Sequence, residues 1–397
     1  MERKVIITEC IGRILTAVFE DGQAVELRYS PPRYHAPCIG EIYVGKVKRI
    51  LPDISGAFIE IADHVECFYS LDEKAKPIMA PAGKEKQALC AGDELLVQVK
   101  RDAIKTKQPL VTGNLTFVGK YVVLSSGKPG QFRASSKLSA KKLSELISWS
   151  KQYEGADFGA IFRTNAEEVS LSVLENEIAR LAEKYHTVAA YGVMRTCRSL
   201  VCGVPGEAVR FLQDVNHKGL SEIVVDAVWD NGRLYREAKA FLEEEQPEDL
   251  PLLRAYTDRS YPLSKCYSLE HVTEEARKEK VWMKSGAYLV IQQTEALVVI
   301  DVNSGKCKKK TKDFCSLNQE AAREAARQIR LRNLTGIILI DFINMELKSE
   351  QEELLRFLRA ELSKDSNPGK VVDMTGLQLV EITRKKIRKS LEESLHD

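Results

Sequence analysis

Long apolar runs are missing from this sequence. No stretch approaches the roughly 20 apolar residues that a membrane-spanning helix needs. The first residues, Met1-Glu2-Arg3-Lys4-Val5-Ile6-Ile7, form a charged lead into a strand and lack the apolar core of a signal peptide. Cysteine occurs nine times, an odd number, and no CxxC pair is present. That pattern gives neither a disulfide framework nor a zinc knuckle. Cys197 with Cys202, and Cys307 with Cys315, are near in sequence but read as buried free thiols. Internal repeats and low-complexity tracts are absent too. Charge of one sign is not in excess, since 59 basic residues face 57 acidic ones for a net +2. Any surface for a polyanion must therefore be a local patch. These absences lead us to expect a cytoplasmic globular protein.

The 397 residues, 44% apolar and 29% charged, suffice for two to four domains with sizeable cores. Basic clusters occur at 100–107, 133–142 and 383–389, and an acidic one at 243–249.

Two similar apolar runs dominate residues 296–345. Leu297-Val298-Val299-Ile300 ends in Asp301, and Ile337-Ile338-Leu339-Ile340 ends in Asp341. Such runs, bounded by turn residues, read as buried strands. Residues 316–333 between them read as a helix with an apolar stripe of Leu317, Ala321, Ala322, Ala325, Ile329 and Leu331. Ser316 and Gln319 fit a capping box, with Gly336 just past the helix. The resulting βαβ unit puts both aspartates at carboxyl ends of parallel strands, where open α/β sheets bind ligands. A single aspartate there ordinarily caps the next turn. Two on adjoining strands suit a hard divalent cation, which prefers oxygen ligands. Lys306, Lys308, Lys309, Lys310 and Lys312 form either a solvated loop or a contact for a polyanion.

Upstream, residues 3–30 alternate as a β-meander. From Gly40 a set of short strands follows, at 42–50, 56–61, 66–69 and 93–100, the pattern of a small OB-type barrel. Tyr43, Phe58 and Phe68, with Lys46, Lys48 and Arg49, suit a face that stacks RNA bases; the bland alternative is core aromatics. Strand-like residues 110–125 precede a helix near 140–151. A strand at 158–162 then runs into Arg163 and Thr164, followed by a long helix over 166–186. Arg and Thr at a strand-to-helix turn suit a phosphate, although a capping Thr and a surface Arg are the commoner explanation of such a pair. Further on, 207–216 and 269–281 read as helical, 222–226 as a strand, and 232–242 as a strand turn or helix. Residues 350–362 read as an amphipathic helix, 371–373 and 377–381 as strands, and 384–395 as a basic tail helix.

Several of these blocks resemble one family. IDVNSGK at 300–306, NQEAAREAARQIRLRNLTGIILIDFINM at 318–345 and VEITRKK at 380–386 are similar to the ribonuclease E/G family. GEIYVGKVKRILPDISGAFIEI at 40–61 resembles its RNA-binding barrel, and GAIFRTNA at 159–166 its 5′-monophosphate sensor. The resemblance implies an α/β and α+β multi-subdomain chain. An RNase H-like subdomain would comprise 1–36 plus 207–275, an inserted OB-type RNA-binding barrel 37–107, a 5′-sensor region 108–206, and a DNase I-like catalytic subdomain 276–397. It implies a Mg²⁺-dependent endoribonuclease that cuts single-stranded RNA in rRNA processing or mRNA decay. Such an enzyme leaves 5′-phosphate products and favours 5′-monophosphorylated substrates.

Carried over by position, the resemblance makes Asp301 and Asp341 the metal-binding and catalytic acids and Asn303 their supporting amide. Phe58, Phe68 and Lys107 become RNA-binding residues, joining Tyr43 from the strand pattern. Gly119, Val123, Arg163 and Thr164 become the 5′-phosphate sensor. Departures from the family pattern stand at Asn344, Thr311, Lys312, Ser136 and residues 375–378. The cysteine motif that links longer members through zinc is absent from the chain, so neither structural zinc nor a zinc-linked tetramer is expected; a monomer and a homodimer remain open. The rival readings are a non-catalytic RNA-binding protein of the same architecture, and a purely structural role for the aspartates.

Overall fold

The computed structural model describes residues 2–31, 37–73, 75–80, 88–101, 108–215, 219–305, 314–345 and 347–396. The chain folds as two units, residues 1–32 with 207–397, and residues 33–206.

The first unit opens with the meander β1 (Arg3–Cys10), β2 (Arg13–Glu20) and β3 (Gln23–Ser30). The second unit then contributes β4 (Ile42–Leu51), β5 (Gly56–Ala62), β6 (Val65–Ser70), β7 (Met79–Ala80), β8 (Glu94–Arg101) and β9 (Leu110–Thr112). Five of these close into a barrel in the order β4-β5-β6-β9-β8, with β8 pairing back onto β4. Closure follows from alternation: Val47, Ile59, Ile61, Cys67, Leu95 and Val97 all point inward and fill the interior. A four-stranded sheet follows, in the order β10-β11-β13-β12, from β10 (Thr116–Val118), β11 (Val122–Ser125), β12 (Phe132–Ala134) and β13 (Gly159–Phe162). Helices α1 (Ala140–Ser150) and α2 (Leu171–Gly192) bury Leu146, Leu174, Ile178 and Leu181 in a core with Phe117, Leu124 and Phe162. A short strand, β14 (Leu200–Cys202), ends the unit on the edge of β4.

Back in the first unit come α3 (Glu207–Arg210), β15 (Leu220–Asp226), α4 (Arg233–Glu245), β16 (Leu253–Tyr256), α5 (Leu263–Cys266) and α6 (Leu269–Arg277). Strand β1 pairs with β15 in parallel and with β2 antiparallel, giving the sheet β16-β15-β1-β2-β3. Both faces are covered: Val5 and Ile7 pack toward Leu234 and Phe241, and Ile6 packs on the other side with Leu15 and Leu269. The last sheet, β17-β18-β19-β20-β22-β21, uses β17 (Lys280–Trp282), β18 (Tyr288–Gln293), β19 (Leu297–Asn303), β20 (Gly336–Asp341), β21 (Lys370–Met374) and β22 (Leu379–Arg384). Helices α7 (Phe314–Leu331) and α8 (Lys348–Leu362) supply Leu317, Ala321, Ile329, Leu354 and Leu358 to its core, and α9 (Leu391–His396) ends the described chain.

Four local expectations are corrected. Helix α7 already includes Phe314, so Ser316 lies inside it and not at its N-cap position; the Gln319 amide donates to Glu353, 2.9 Å away. Residues 164–168 form a 3-10 turn, and the long helix starts only at Leu171 and runs to Gly192. Residues 280–282 are strand, because Val281 pairs with Leu289 and not with a helix neighbour. The basic tail is helical only from Leu391, since Arg384 still belongs to β22.

The apolar runs of β19 and β20 are also buried on one side only. Val298, Ile300, Ile338 and Ile340 meet the helices, whereas Ile337 is 50% exposed. That asymmetry leaves an open face on the sheet.

Candidate active site

β19 and β20 pair in parallel, and their register places Asp301 directly beside Asp341. Side chains on a strand alternate, so Asp301 and Asn303 share the face opposite the core residues Ile300 and Val302. Asp341, in register with Asp301, faces the same way. Both carboxylates therefore stand on the open face: Asp341 is exposed and Asp301 half-buried. Asn303 Nδ2 donates to Asp301 Oδ2 at 2.6 Å, which holds the carboxylate in one orientation. Glu381 of β22 lies opposite Leu339 and faces the same side.

The loops at this end of the sheet are held by α7. Asn318, fully buried, donates from Nδ2 to the Ile343 carbonyl at 2.7 Å and accepts the Ile343 N–H at 3.1 Å. Glu320 accepts the Ser285 N–H at 3.2 Å. Sequence reasoning missed Asn318 as a positioning residue. Its signal was an amide lying on the apolar stripe of a helix, one turn before Ala321 and Ala322. Gly305, just after Asn303, has a φ of +57°, and a Cβ there would meet the Gly286 carbonyl at 2.6 Å. Only glycine fits that turn readily. Asn344 is exposed on the loop beyond Asp341. Lys306, Lys308, Lys309, Lys310, Thr311 and Lys312 lie outside the described residues.

A divalent cation fits this donor set. Two carboxylates side by side, one pre-oriented by an amide, are the oxygen ligands a hard cation takes, with water and phosphate completing its shell. Among the described residues no group of three or more His, Cys, Asp or Glu side chains gathers as a metal cage.

In the second unit the barrel carries an aromatic row on its outer side. Arg49, Phe58 and Phe68 are cross-strand partners on β4, β5 and β6. The two rings meet edge-on at 6.0 Å, and the Arg49 guanidinium lies 4.4 Å from the Phe58 centroid. Tyr43, expected on this face, is corrected: it is 4% exposed, sits in the barrel core, and donates its hydroxyl to Glu41 at 2.7 Å. The reason is alternation along β4, which turns Tyr43 and Val47 inward together. Lys107 lies outside the described residues.

Gly119, Val123, Arg163 and Thr164 come together at one end of the four-stranded sheet. Arg163 follows β13, its N–H donates to the Tyr121 carbonyl at 2.7 Å, and its Nη1 donates to the Gly119 carbonyl at 2.8 Å. Val123 of β11 pairs with Ile161 and Val118, and Thr164 Oγ1 lies 3.1 Å from Ser135 Oγ. Beneath the turn, Glu177 accepts the N–H groups of Lys120 at 2.8 Å and Tyr121 at 2.9 Å. Burial pushes the Glu177 carboxyl pKa up, and these backbone donors only partly offset it. A Cβ on Gly119 would press on that carboxylate at 2.7 Å. Glu177 is a second residue the sequence did not flag, a buried acid on the apolar face of α2.

All described cysteines are free thiols; Cys197, Cys202 and Cys315 are half-buried and not fully buried as expected, and Cys307 lies outside the described residues. No helix among the described residues is long and apolar enough to cross a membrane.

Comparison with known proteins gives a consistent result. The model of the Ribonuclease E/G family matches residues 116–387. The chain is 30% identical to ribonuclease E of Nostoc sp., over all of this chain and 58% of that protein. It is 32% identical to ribonuclease G of Escherichia coli, over 90% of this chain and 74% of that protein. It is 30% identical to ribonuclease E of Synechocystis sp., over 99% of this chain and 58% of that protein. The chain thus spans a little over half the length of those two ribonucleases E.

Proposed function

Because the chain belongs to the ribonuclease E/G family, we propose that it is a Mg²⁺-dependent endoribonuclease for single-stranded RNA, with Asp301 and Asp341 as the ligands of the ion. Kinship with proteins named ribonuclease E and ribonuclease G supports an endoribonuclease. The observation that carries the catalytic assignment is the register of Asp301 beside Asp341 on the open sheet face, with Asn303 bonded to Asp301.

Mg²⁺ held there supplies Lewis acidity at the scissile phosphate and makes water a stronger nucleophile near neutral pH. The protein's part is positional. Asn303 holds the Asp301 carboxylate in one orientation, and Asn318 fixes the loop that follows Asp341. Asp301 and Asp341 would hold such an ion through carboxylate oxygens, the donor type a hard divalent cation prefers. Hydrolysis with this set needs no covalent intermediate, and the products carry 5′-phosphates.

Phe58 and Phe68 are the base-stacking residues of the barrel in this reading, with Arg49 and Lys107 meeting the backbone. Arg163 and Thr164 are the residues that receive a 5′-monophosphate, with Gly119 and Val123 lining the same corner. The Arg163 guanidinium, braced on the Gly119 carbonyl, has the planar donor geometry that favours a compact dianion. The four subdomains assigned by resemblance, cytoplasmic location, and roles in rRNA processing or mRNA decay belong to the same proposal.

The test is cleavage of a 5′-monophosphorylated, A/U-rich single-stranded RNA with Mg²⁺ and with a chelator. Metal-dependent internal cuts that vanish in Asp301→Asn and Asp341→Asn are expected. RNA binding without cleavage by the unmutated chain would show a binding protein instead.

A further inference from the structure

The open face that carries the aspartates has a second feature. Tyr288 of β18 is the cross-strand partner of Asn303, and Trp282 of β17 is the partner of Tyr288. Cross-strand partners point to the same side of a sheet. The row Trp282, Tyr288, Asn303 therefore shares its face with Asp301 and Asp341. Strand spacing puts Tyr288 about 5 Å and Trp282 about 10 Å from Asn303 along that row. The two rings lie 5.0 Å apart at 56°, and Trp282 is 62% exposed although it sits on an edge strand. Lys280, two residues before Trp282 and on the same face, holds Nζ 3.6 Å from the Tyr288 centroid and 4.3 Å from that of Trp282.

An exposed tryptophan, a tyrosine and a lysine make an amphipathic shelf. Aromatic faces stack any nucleobase, and an adjacent ammonium suits the phosphate that joins two nucleotides. We propose that Trp282 and Tyr288 stack a base of the bound RNA strand next to the scissile phosphate, and that Lys280 leaves the rings to meet a neighbouring backbone phosphate. This rests on the endoribonuclease reading above and deepens it. This shelf sets which nucleotide lies over the aspartates. Because stacking is tolerant of base identity, it fixes register more than sequence.

The test uses the full chain with Mg²⁺ and an RNA in which one abasic residue is stepped through the positions flanking the cleaved bond. Trp282→Ala should lower kcat/KM on intact RNA by about 5- to 150-fold, the range for losing one stacked base. Trp282→Phe should retain most of the activity. At one abasic position the unmutated protein should lose a similar factor, and Trp282→Ala should lose nothing more. If Trp282→Ala leaves kcat/KM unchanged, or loses the same factor at every abasic position, the shelf is only a surface feature. If the unmutated chain cuts no RNA, the endoribonuclease reading fails separately. The shelf is then judged by quenching of tryptophan fluorescence on oligonucleotide binding in EDTA, with Trp282→Phe as the blank. Absence of quenching beyond that of the blank overturns it.

Discussion

Arg384 offers the sharpest separation between charge counted along the sequence and charge placed by the fold. It belongs to the basic run 383–389, which reads as a surface for a polyanion, yet it is 3% exposed. Its Nε donates to Asp365 Oδ2 at 3.0 Å and to the Asn367 carbonyl at 2.8 Å. Its Nη1 donates to Asn333 Oδ1 at 2.7 Å and to the Leu334 carbonyl at 2.9 Å, while Nη2 lies 2.9 Å from Asp365. Arg384→Met removes the guanidinium paired with the Asp365 carboxylate, itself 8% exposed, and takes a donor from three further acceptors. Breaking a buried pair from one side costs about 3–5 kcal/mol. That is a large share of the roughly 5–15 kcal/mol that holds a domain folded. With a urea m-value of about 3 kcal/mol/M, the unfolding midpoint should fall by about 1–1.7 M. The double variant Arg384→Met/Asp365→Leu should recover most of the loss, because a hydrophobic pair replaces a buried ion pair at little cost. Urea titration followed by circular dichroism measures both. A single variant that keeps its midpoint but loses RNA affinity would refute a structural role and return Arg384 to the RNA surface.

Other outcomes follow from the same geometry. Asp301→Asn and Asp341→Asn should each cut the Mg²⁺-dependent cleavage rate by about 10³-fold or more without shifting the melting curve, since both carboxylates lie on the open face. Gly119→Ala should destabilise by about 1–3 kcal/mol, because its Cβ displaces the Glu177 carboxylate from the backbone donors it serves. It should also shrink the preference for 5′-monophosphate over 5′-hydroxyl RNA in competition cleavage. Burial pushes the Glu26 carboxyl up, but the Arg28, Arg388 and Arg330 guanidinia overcome this and hold it at about 2 against an ordinary 4.5. A depressed acid stabilises above its unfolded value and loses that effect as pH falls. About 3 kcal/mol should therefore disappear between about pH 4.5 and pH 2, and Glu26→Gln should flatten that limb in melts across the range. Burial of the same pair pushes Arg28 down to about 10, a cost that does not vary in the acid window. Phe68→Ala should weaken binding of a short single-stranded RNA by about 5- to 150-fold in fluorescence anisotropy.

The sequence alone determined the local pattern: alternation set most strands, and the matching apolar runs with an intervening helical stripe dictated a βαβ unit with Asp301 and Asp341 at strand ends. These features are short-range, because hydrophobic period and turn residues act over a few positions. The family motifs were legible for the same reason, as each is a contiguous block. What only tertiary structure decided was direction and burial. Tyr43 went into the barrel core and Phe58 to its outside because strand phase, not residue type, selects a face. Arg384 became a buried anchor because Asp365 and Asn333 arrive from other parts of the chain. Asn318 and Glu177 gained roles through loops 25 and 56 residues away. The Trp282–Tyr288 shelf is a matter of register: residues 15 and 21 positions before Asn303 reach its row only when β17, β18 and β19 pair. Pairing energy depends on which strands meet across the sheet, and no local pattern carries that information.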